Sequence, residues 1–207
     1  MTLGQTRALK ELLPRYSVPA GSTDLPALFR RNAPVTLEIG FGDGHNLAEL
    51  ARRHPERDYL GCEVHRPGVG RLLMTLEAEG LGNVRVIPDD AVLVLKERLP
   101  DGCLDAVLIY FPDPWPKKRH HKRRLLQPEF AALLARKLKP GGRLHLATDW
   151  EDYARHALAV LAAASEFQNA AISGHYVPRP EERPETKFER RGLKLGHGVY
   201  DLVFLRR

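Results

Sequence analysis

Three acids stand at the ends of consecutive apolar runs. Glu38 lies two places before the glycines of Gly40-Phe41-Gly42-Asp43-Gly44, Glu63 follows 25 residues later, and Asp90 sits in Asp89-Asp90-Ala91. Gly40 and Gly42 let the backbone turn sharply and admit a ligand where a Cβ would otherwise stand. A carboxylate at Glu63 can accept two ribose hydroxyls, and Asp90 can accept an adenine amino group beside apolar Val92. A dinucleotide fingerprint GxGxxG counted from Gly40 needs a small residue at position 45, where the chain has His45. An acid just before the glycines also suits a cationic head group better than a pyrophosphate. Together the three acids describe a nucleoside site.

A second cluster follows the most apolar run of the chain, in Phe111-Pro112-Asp113-Pro114-Trp115-Pro116. Prolines on both sides of Asp113 fix the backbone and remove amide donors, so its carboxylate is held at the mouth of the site instead of capping a turn. Trp115 offers a stacking plane for a base, worth ~1–3 kcal/mol in single-strand binders. Immediately beyond, Lys117 to Arg124 reads KKRHHKRR, with six Lys or Arg and two His in eight residues. A basic run inside a domain and beside an active mouth favours phosphate contacts over a solvated tail. By spacing alone, Asp149 reads as an N-cap and Thr186-Lys187-Phe188-Glu189 as a polar loop.

These residues need a scaffold, and the hydrophobic rhythm supplies one. Strands are expected at Val35–Ile39, Tyr59–Val64, Val84–Ile87, Leu104–Phe111 and Arg143–Thr148. Helices are expected between them at Asn46–Arg53, Val69–Glu79, Ala91–Arg98 and Pro128–Leu138, with another at Trp150–Ala164. Alternation of this kind predicts an α/β fold, a Rossmann-like doubly wound and mostly parallel sheet with ligands at the carboxyl ends of its strands. A last strand, Val199–Leu205, has no helix after it and is expected to close the sheet as an antiparallel C-terminal strand. Residues 1–33 read as an N-terminal extension with one short helix, and residues 34–207 as the main domain.

Composition limits the alternatives. The chain has 207 residues, 43% of them hydrophobic and 28% charged, which suits one soluble domain with a normal core. Its net charge of +6 equals the charge of the Lys117–Arg124 run, so the basic surface is local. Cys62 and Cys103 show no metal spacing and read as reduced thiols, and no His pair has metal-ligand spacing. No metal, no membrane, no obligate protein partner and a cytoplasmic location are expected, since no apolar run approaches the ~20 residues of a span.

Five strings carry a resemblance: LEIGFGDG at 37–44, GCEVHRPGVG at 61–70, FPDPWPKKRHHKRR at 111–124, ATDW at 147–150 and RPETKFERRGLKLGHGVYDL at 183–202. Over about residues 35–205 the chain resembles the bacterial tRNA (guanine-N7)-methyltransferases of the class I S-adenosylmethionine-dependent fold. The resemblance implies methyl transfer from S-adenosyl-L-methionine to N7 of a guanine in the tRNA variable loop, position 46 in that family. It makes Glu38, Gly40, Gly42, Glu63, Asp90 and Asp113 contacts of the cofactor, and Asp113 also the catalytic position. It further implies substrate contacts at Lys117, Asp149, Thr186, Lys187, Phe188 and Glu189, and an RNA-interaction segment of Arg119, His120, His121, Lys122, Arg123 and Arg124. Pro116 departs from the family, where many members carry a polar residue or histidine.

Three other functions compete. Methylation of an exocyclic amine is the nearest rival, since Pro112-Asp113-Pro114-Trp115 is similar to the Asp/Asn-Pro-Pro-aromatic loop of amino-methyltransferases. A nicotinamide oxidoreductase is opposed by His45 and by the lack of a hydride-site residue. A non-catalytic RNA-binding protein would need only the basic run, and leaves Glu38, Glu63 and Asp90 without work.

Overall fold

The computed structural model describes all of the chain except residues 22, 187–188, 191–195 and 197. Its elements in chain order are α1 (Leu3–Glu11), α2 (Leu13–Tyr16), α3 (Leu25–Phe29), β1 (Val35–Ile39), α4 (His45–Arg53), β2 (Asp58–Cys62), α5 (Arg66–Glu79), β3 (Val84–Ile87), α6 (Ala91–Glu97), β4 (Leu104–Tyr110), α7 (Pro128–Lys137), β5 (Leu138–Thr148), α8 (Glu151–Ala163), β6 (Phe167–Asn169) and β7 (Tyr200–Arg206). The strands form one sheet in the order β3-β2-β1-β4-β5-β7-β6. Pairs among β1 to β5 are parallel, and β7 runs antiparallel to both β5 and β6. The strand order reverses between β1 and β4, which is where a doubly wound sheet opens a crevice for ligands.

Helices cover both faces, so β1 and β2 are buried along their whole length. One apolar cluster packs Leu37, Leu60, Ile87 and Ile109 against the side of Leu95, Leu134 and Leu161. The other packs Tyr59, Val86 and Leu108 against Leu47, Leu72 and Leu76. Each such fully buried leucine contributes roughly 1.5–3 kcal/mol of transfer free energy. Strand alternation therefore places Glu38 on the α4–α5 face, opposite to Leu37 and Ile39.

The sheet and its closing antiparallel strand match the fold expected from the sequence, and five local features go beyond it. Residues 1–33 hold three helices, not one. Thr2 and Gln5 make a capping box on α1, and Tyr16 and Arg15 both donate to Glu77 of α5. Pro67 in its first turn lets α5 begin at Arg66, earlier than its apolar periodicity indicated. Strand β5 starts at Leu138, and its register shifts against β4 across the Pro140-Gly141-Gly142 stretch, with Gly141 at φ 77°. The basic run is itself a 3-10 helix, Lys118–Arg123, and a short strand β6 forms an edge that no periodicity announced.

Candidate active site

The tips of β3, β2, β1 and β4 lie side by side and carry the predicted acids. Gly40 N–H donates to Cys62 O at 2.8 Å and Glu63 N–H to Ile87 O at 3.2 Å, so hydrogen bonding continues past the strand ends. Gly42, at φ 61°, donates its N–H to Glu63 Oε2 at 2.8 Å, and His65 N–H donates to Glu63 Oε1 at 2.8 Å. The Glu63 carboxylate is thus oriented by backbone and keeps further lone pairs for a ligand. Gly68 in the first turn of α5 packs on this loop so closely that a Cβ there would lie 1.9 Å from Gly42 O. Asp90 caps α6, accepting from Val92 N–H and Leu93 N–H through Oδ1 at 2.9 and 3.1 Å.

Glu38 differs from the other two acids because it is inside the protein. It is 3% exposed, and its Oε2 has no hydrogen-bond partner in the structure. Burial pushes its pKa up to about 7, against the opposing effect of the neighbouring Asn46 amide and with help from the charges of Asp43 and Glu63. A buried carboxyl oxygen with no hydrogen-bond partner requires an explanation, and a cationic ligand supplies one. Glu38 lines a cavity of about 420 Å³ with Gly40, Phe41, Gly42, Tyr110 and Thr186. A Cβ at position 40 or 42 would meet nothing within 4 Å, so the loop leaves open space where a ligand would lie. These features fit S-adenosylmethionine, which bears a positive sulfonium, an ammonium group and a ribose.

Beyond β4 the backbone is strained. Phe111 has φ 51° and Trp115 φ 45°, left-handed values that cost bulky residues roughly 1–3 kcal/mol each. Phe111 is held by donating its N–H to Ala147 O at 2.7 Å. Between these two residues Asp113 is exposed, and its charge is one cause, after burial, that raises the Tyr153 phenol to about 12. Arg123 lies over the Trp115 ring at 5.0 Å from its centroid, and His120 meets the ring edge-on. The stacking plane expected of Trp115 therefore has a guanidinium on it here.

Two residues expected at the RNA or substrate are placed elsewhere. Arg124 is 2% exposed; it donates from Nε to Pro114 O at 2.9 Å, pairs with Asp152 and lies over the Tyr153 ring. It fixes the Pro-Asp-Pro turn from inside, enclosed by its partners. Glu189 is 3% exposed, and Arg183 donates to both of its carboxylate oxygens at 2.6 and 2.9 Å, so it does not face the cavity.

The other expected residues are distributed as follows. Glu38, Gly40, Gly42 and Thr186 share the cavity. Glu63, Asp90 and Asp113 sit on neighbouring strand tips without lining it. Lys117, Arg119, Lys122 and Arg123 are exposed, and His120 and His121 half-buried, on or beside the 3-10 helix. Asp149 lines a separate hollow of about 410 Å³ with Trp150, Arg155 and Tyr200. Lys187 and Phe188 lie outside the described residues.

Sequence reading missed a buried polar chain behind the cavity. His145 lies 2.7 Å from Asp201 through Nε2 and 3.0 Å from Tyr110 Oη through Nδ1. A carboxylate only accepts, so His145 Nε2–H donates to Asp201 and Nδ1 accepts from the Tyr110 hydroxyl. Burial lowers the His145 pKa and raises that of Tyr110 well above its usual value, keeping both neutral. Arg183 completes the chain, with Nε 2.8 Å and Nη2 3.1 Å from Asp201. The signal was present: His145 and Asp201 interrupt apolar strand runs at interior positions.

Among the described residues no group of three or more His, Cys, Asp or Glu is gathered as a metal would require, and no helix is long and apolar enough to cross a membrane.

An α/β sheet with its switch point between β1 and β4, ringed by strand-tip acids, defines the chain as a class I methyltransferase in fold. The structure of the 16S rRNA methyltransferase KamB superposes with a TM-score of 0.65 at 18% identity, covering 89% of this chain and 94% of that one. A SAM-dependent methyltransferase from Aquifex aeolicus gives 0.58 at 15% identity over the whole of both chains. In sequence, the Methyltransf_4 family of methyltransferases matches residues 32–202. A tRNA (guanine-N(7)-)-methyltransferase of Alkalilimnicola ehrlichii is 58% identical over 211 residues, covering all of this chain and 89% of the relative. The protein of the same name from Idiomarina loihiensis is 56% identical over 206 residues, covering 99% and 84%. The chain belongs to the tRNA (guanine-N(7)-)-methyltransferase family.

Proposed function

We propose that this protein transfers the methyl group of S-adenosyl-L-methionine to N7 of a guanine in the variable loop of tRNA, and works in the cytoplasm. The observation that carries the reading is the buried carboxyl of Glu38, with Oε2 unsatisfied, across the switch point from Asp113 on its strained turn. When bound, the cofactor would supply an electrophilic methyl carbon on a sulfonium. Glu38 would hold its cationic end, Glu63 would accept from the ribose, Asp90 would accept from the adenine through the oxygen not used in capping, and Gly40 and Gly42 would allow close approach.

Guanine N7 has an in-plane lone pair and no proton, so its attack needs no general base. The main task of the chain is alignment, which can supply ~7–11 kcal/mol of the barrier. Asp113 accepts hydrogen bonds from the guanine N1–H and N2 amine, and its charge stabilises the imidazolium that develops as the methyl transfers. Lys117, Asp149 and Thr186 contact the acceptor nucleotide. Arg119, His120, His121, Lys122 and Arg123 contact tRNA phosphates.

The test is mass mapping of methylated nucleosides in tRNA incubated with the protein and S-adenosylmethionine, together with borohydride-induced strand scission of the product. Scission at a guanine is expected. Methylation without scission would assign the methyl to an exocyclic amine, and no heat of binding with S-adenosylmethionine would remove the enzymatic reading altogether.

A further inference from the structure

Arg183 is 0% exposed in its side chain, yet no part of the proposed chemistry uses it. A buried guanidinium is costly unless fully paired, and here it holds three structures at once. Its fork donates to both oxygens of Glu189, which with Thr186 and Arg190 belongs to the segment preceding β7. Its Nε and Nη2 lie against Asp201 of β7, which ties it through His145 to the Tyr110 hydroxyl. Its guanidinium carbon also stands 5.9 Å from the centroids of both the Tyr110 and Phe111 rings. Phe111 is the left-handed residue that starts the turn bearing Asp113.

Thr186 and Arg190 line the same cavity as Glu38, and Thr186 Oγ1 accepts from Glu189 N–H at 3.1 Å. Fixing Glu189 therefore fixes Thr186. We propose that Arg183 is a positioning residue for methyl transfer: it sets the cavity wall that carries Thr186 and Arg190 relative to the β4 turn that carries Asp113, without touching either reactant. Glu189 acts as the other end of this clamp. Arg183 is bonded to Glu189 and Asp201 and to none of the acids Glu38, Glu63 and Asp90, so the clamp moves the Thr186 wall of the cavity and leaves those acids in place.

The inference rests on the acceptor reading proposed above, and wild-type turnover on tRNA separates the two. If wild type does not methylate tRNA, the acceptor reading fails first. With wild type active, R183K keeps the charge but loses the fork. Its kcat with tRNA is expected to fall about 30-fold, while its S-adenosylmethionine affinity by calorimetry stays within about twofold. Thr186→Ala added to R183K should cost no more than about twofold further, because a hydroxyl already misplaced has little left to lose. E189Q, which leaves the Arg183–Asp201 pair, serves if R183K does not fold, and a kcat loss of about tenfold at unchanged cofactor affinity is expected. Wild-type kcat in folded R183K or E189Q overturns the proposal. So do multiplicative losses in the double variant, or cofactor affinity falling in step with kcat.

Discussion

On one side of the switch point, the β1 to β3 tips are shaped by the backbone: strand hydrogen bonds run past the strand ends, and main-chain N–H groups aim Glu63. On the other side, the β4 turn departs from regular structure at two left-handed residues and is held by side chains, with Arg124 on Pro114 and Arg183 against Tyr110 and Phe111. On the function proposed above, the difference follows from what each side would bind. A small cofactor with fixed shape can be read by a rigid sheet edge, whereas a nucleotide of a large RNA must be met by a projecting loop. Such a loop keeps its geometry only if something beneath it is buried and paired.

The comparison breaks first at Asp113. Asp113→Asn is expected to lower kcat about 10³-fold, roughly the loss of one strong transition-state contact, with S-adenosylmethionine affinity nearly unchanged. Single-turnover methylation and calorimetry measure the two quantities, and an equal fall in both would place Asp113 on the cofactor side instead. Gly68→Ala makes the opposite cut. A Cβ 1.9 Å from Gly42 O must displace the loop, so cofactor affinity should fall about 100-fold, with chemistry at saturating cofactor less affected. A crystal structure of that variant with the loop unmoved would contradict the packing argument.

Glu38 sharpens the contrast through pH. Its folded pKa of about 7 lies above the ordinary carboxyl value of 4.5, so the folded state holds the extra proton between these limits. Stability must then fall as pH rises from about 4.5 to 7, by about 3 kcal/mol at 1.36 kcal/mol per pKa unit, and level off above. Glu38→Gln should remove that fall, leaving the variant more stable than wild type at pH 8 and poorer in cofactor binding. Urea unfolding at pH 5 and pH 8 tests this, and parallel changes in both proteins would refute it.

The smallest effects separate the buried arginine from the exposed cations around it. Arg124→Lys should lower kcat about tenfold without altering how tRNA affinity depends on salt. Arg119→Ala and Lys122→Ala should each flatten the log Kd against log salt slope by about one, at little cost to kcat. Filter binding across a salt series reads the slopes. A flattened slope for Arg124→Lys would return that residue to the RNA surface.

Most of the fold was legible because hydrophobic period and Gly-Pro punctuation are local signals. Val35–Ile39 and Val84–Ile87 were read at their observed limits, and most other strands and helices to within a few residues. The three-residue β6 was not legible, since its pairing with β7 is set by the partner strand. The placement of Glu38, Glu63 and Asp90 was read from spacing because they sit at fixed positions on consecutive strand ends. The acceptor side was read unevenly. Arg124 and Glu189 look like their exposed neighbours in the sequence, and only packing shows that they are enclosed.

By itself the sequence determined the doubly wound sheet, and which acids and which basic run stand at its strand ends, while the strand order and its switch point came from the tertiary structure. Periodicity and turn chemistry act over a few residues and leave little else for such a chain to do. Tertiary structure decided which charges face a ligand and which hold the fold: a guanidinium takes its role from the dielectric and partners around it, and those come from residues such as Asp201 and His145, distant in sequence from the turn they support.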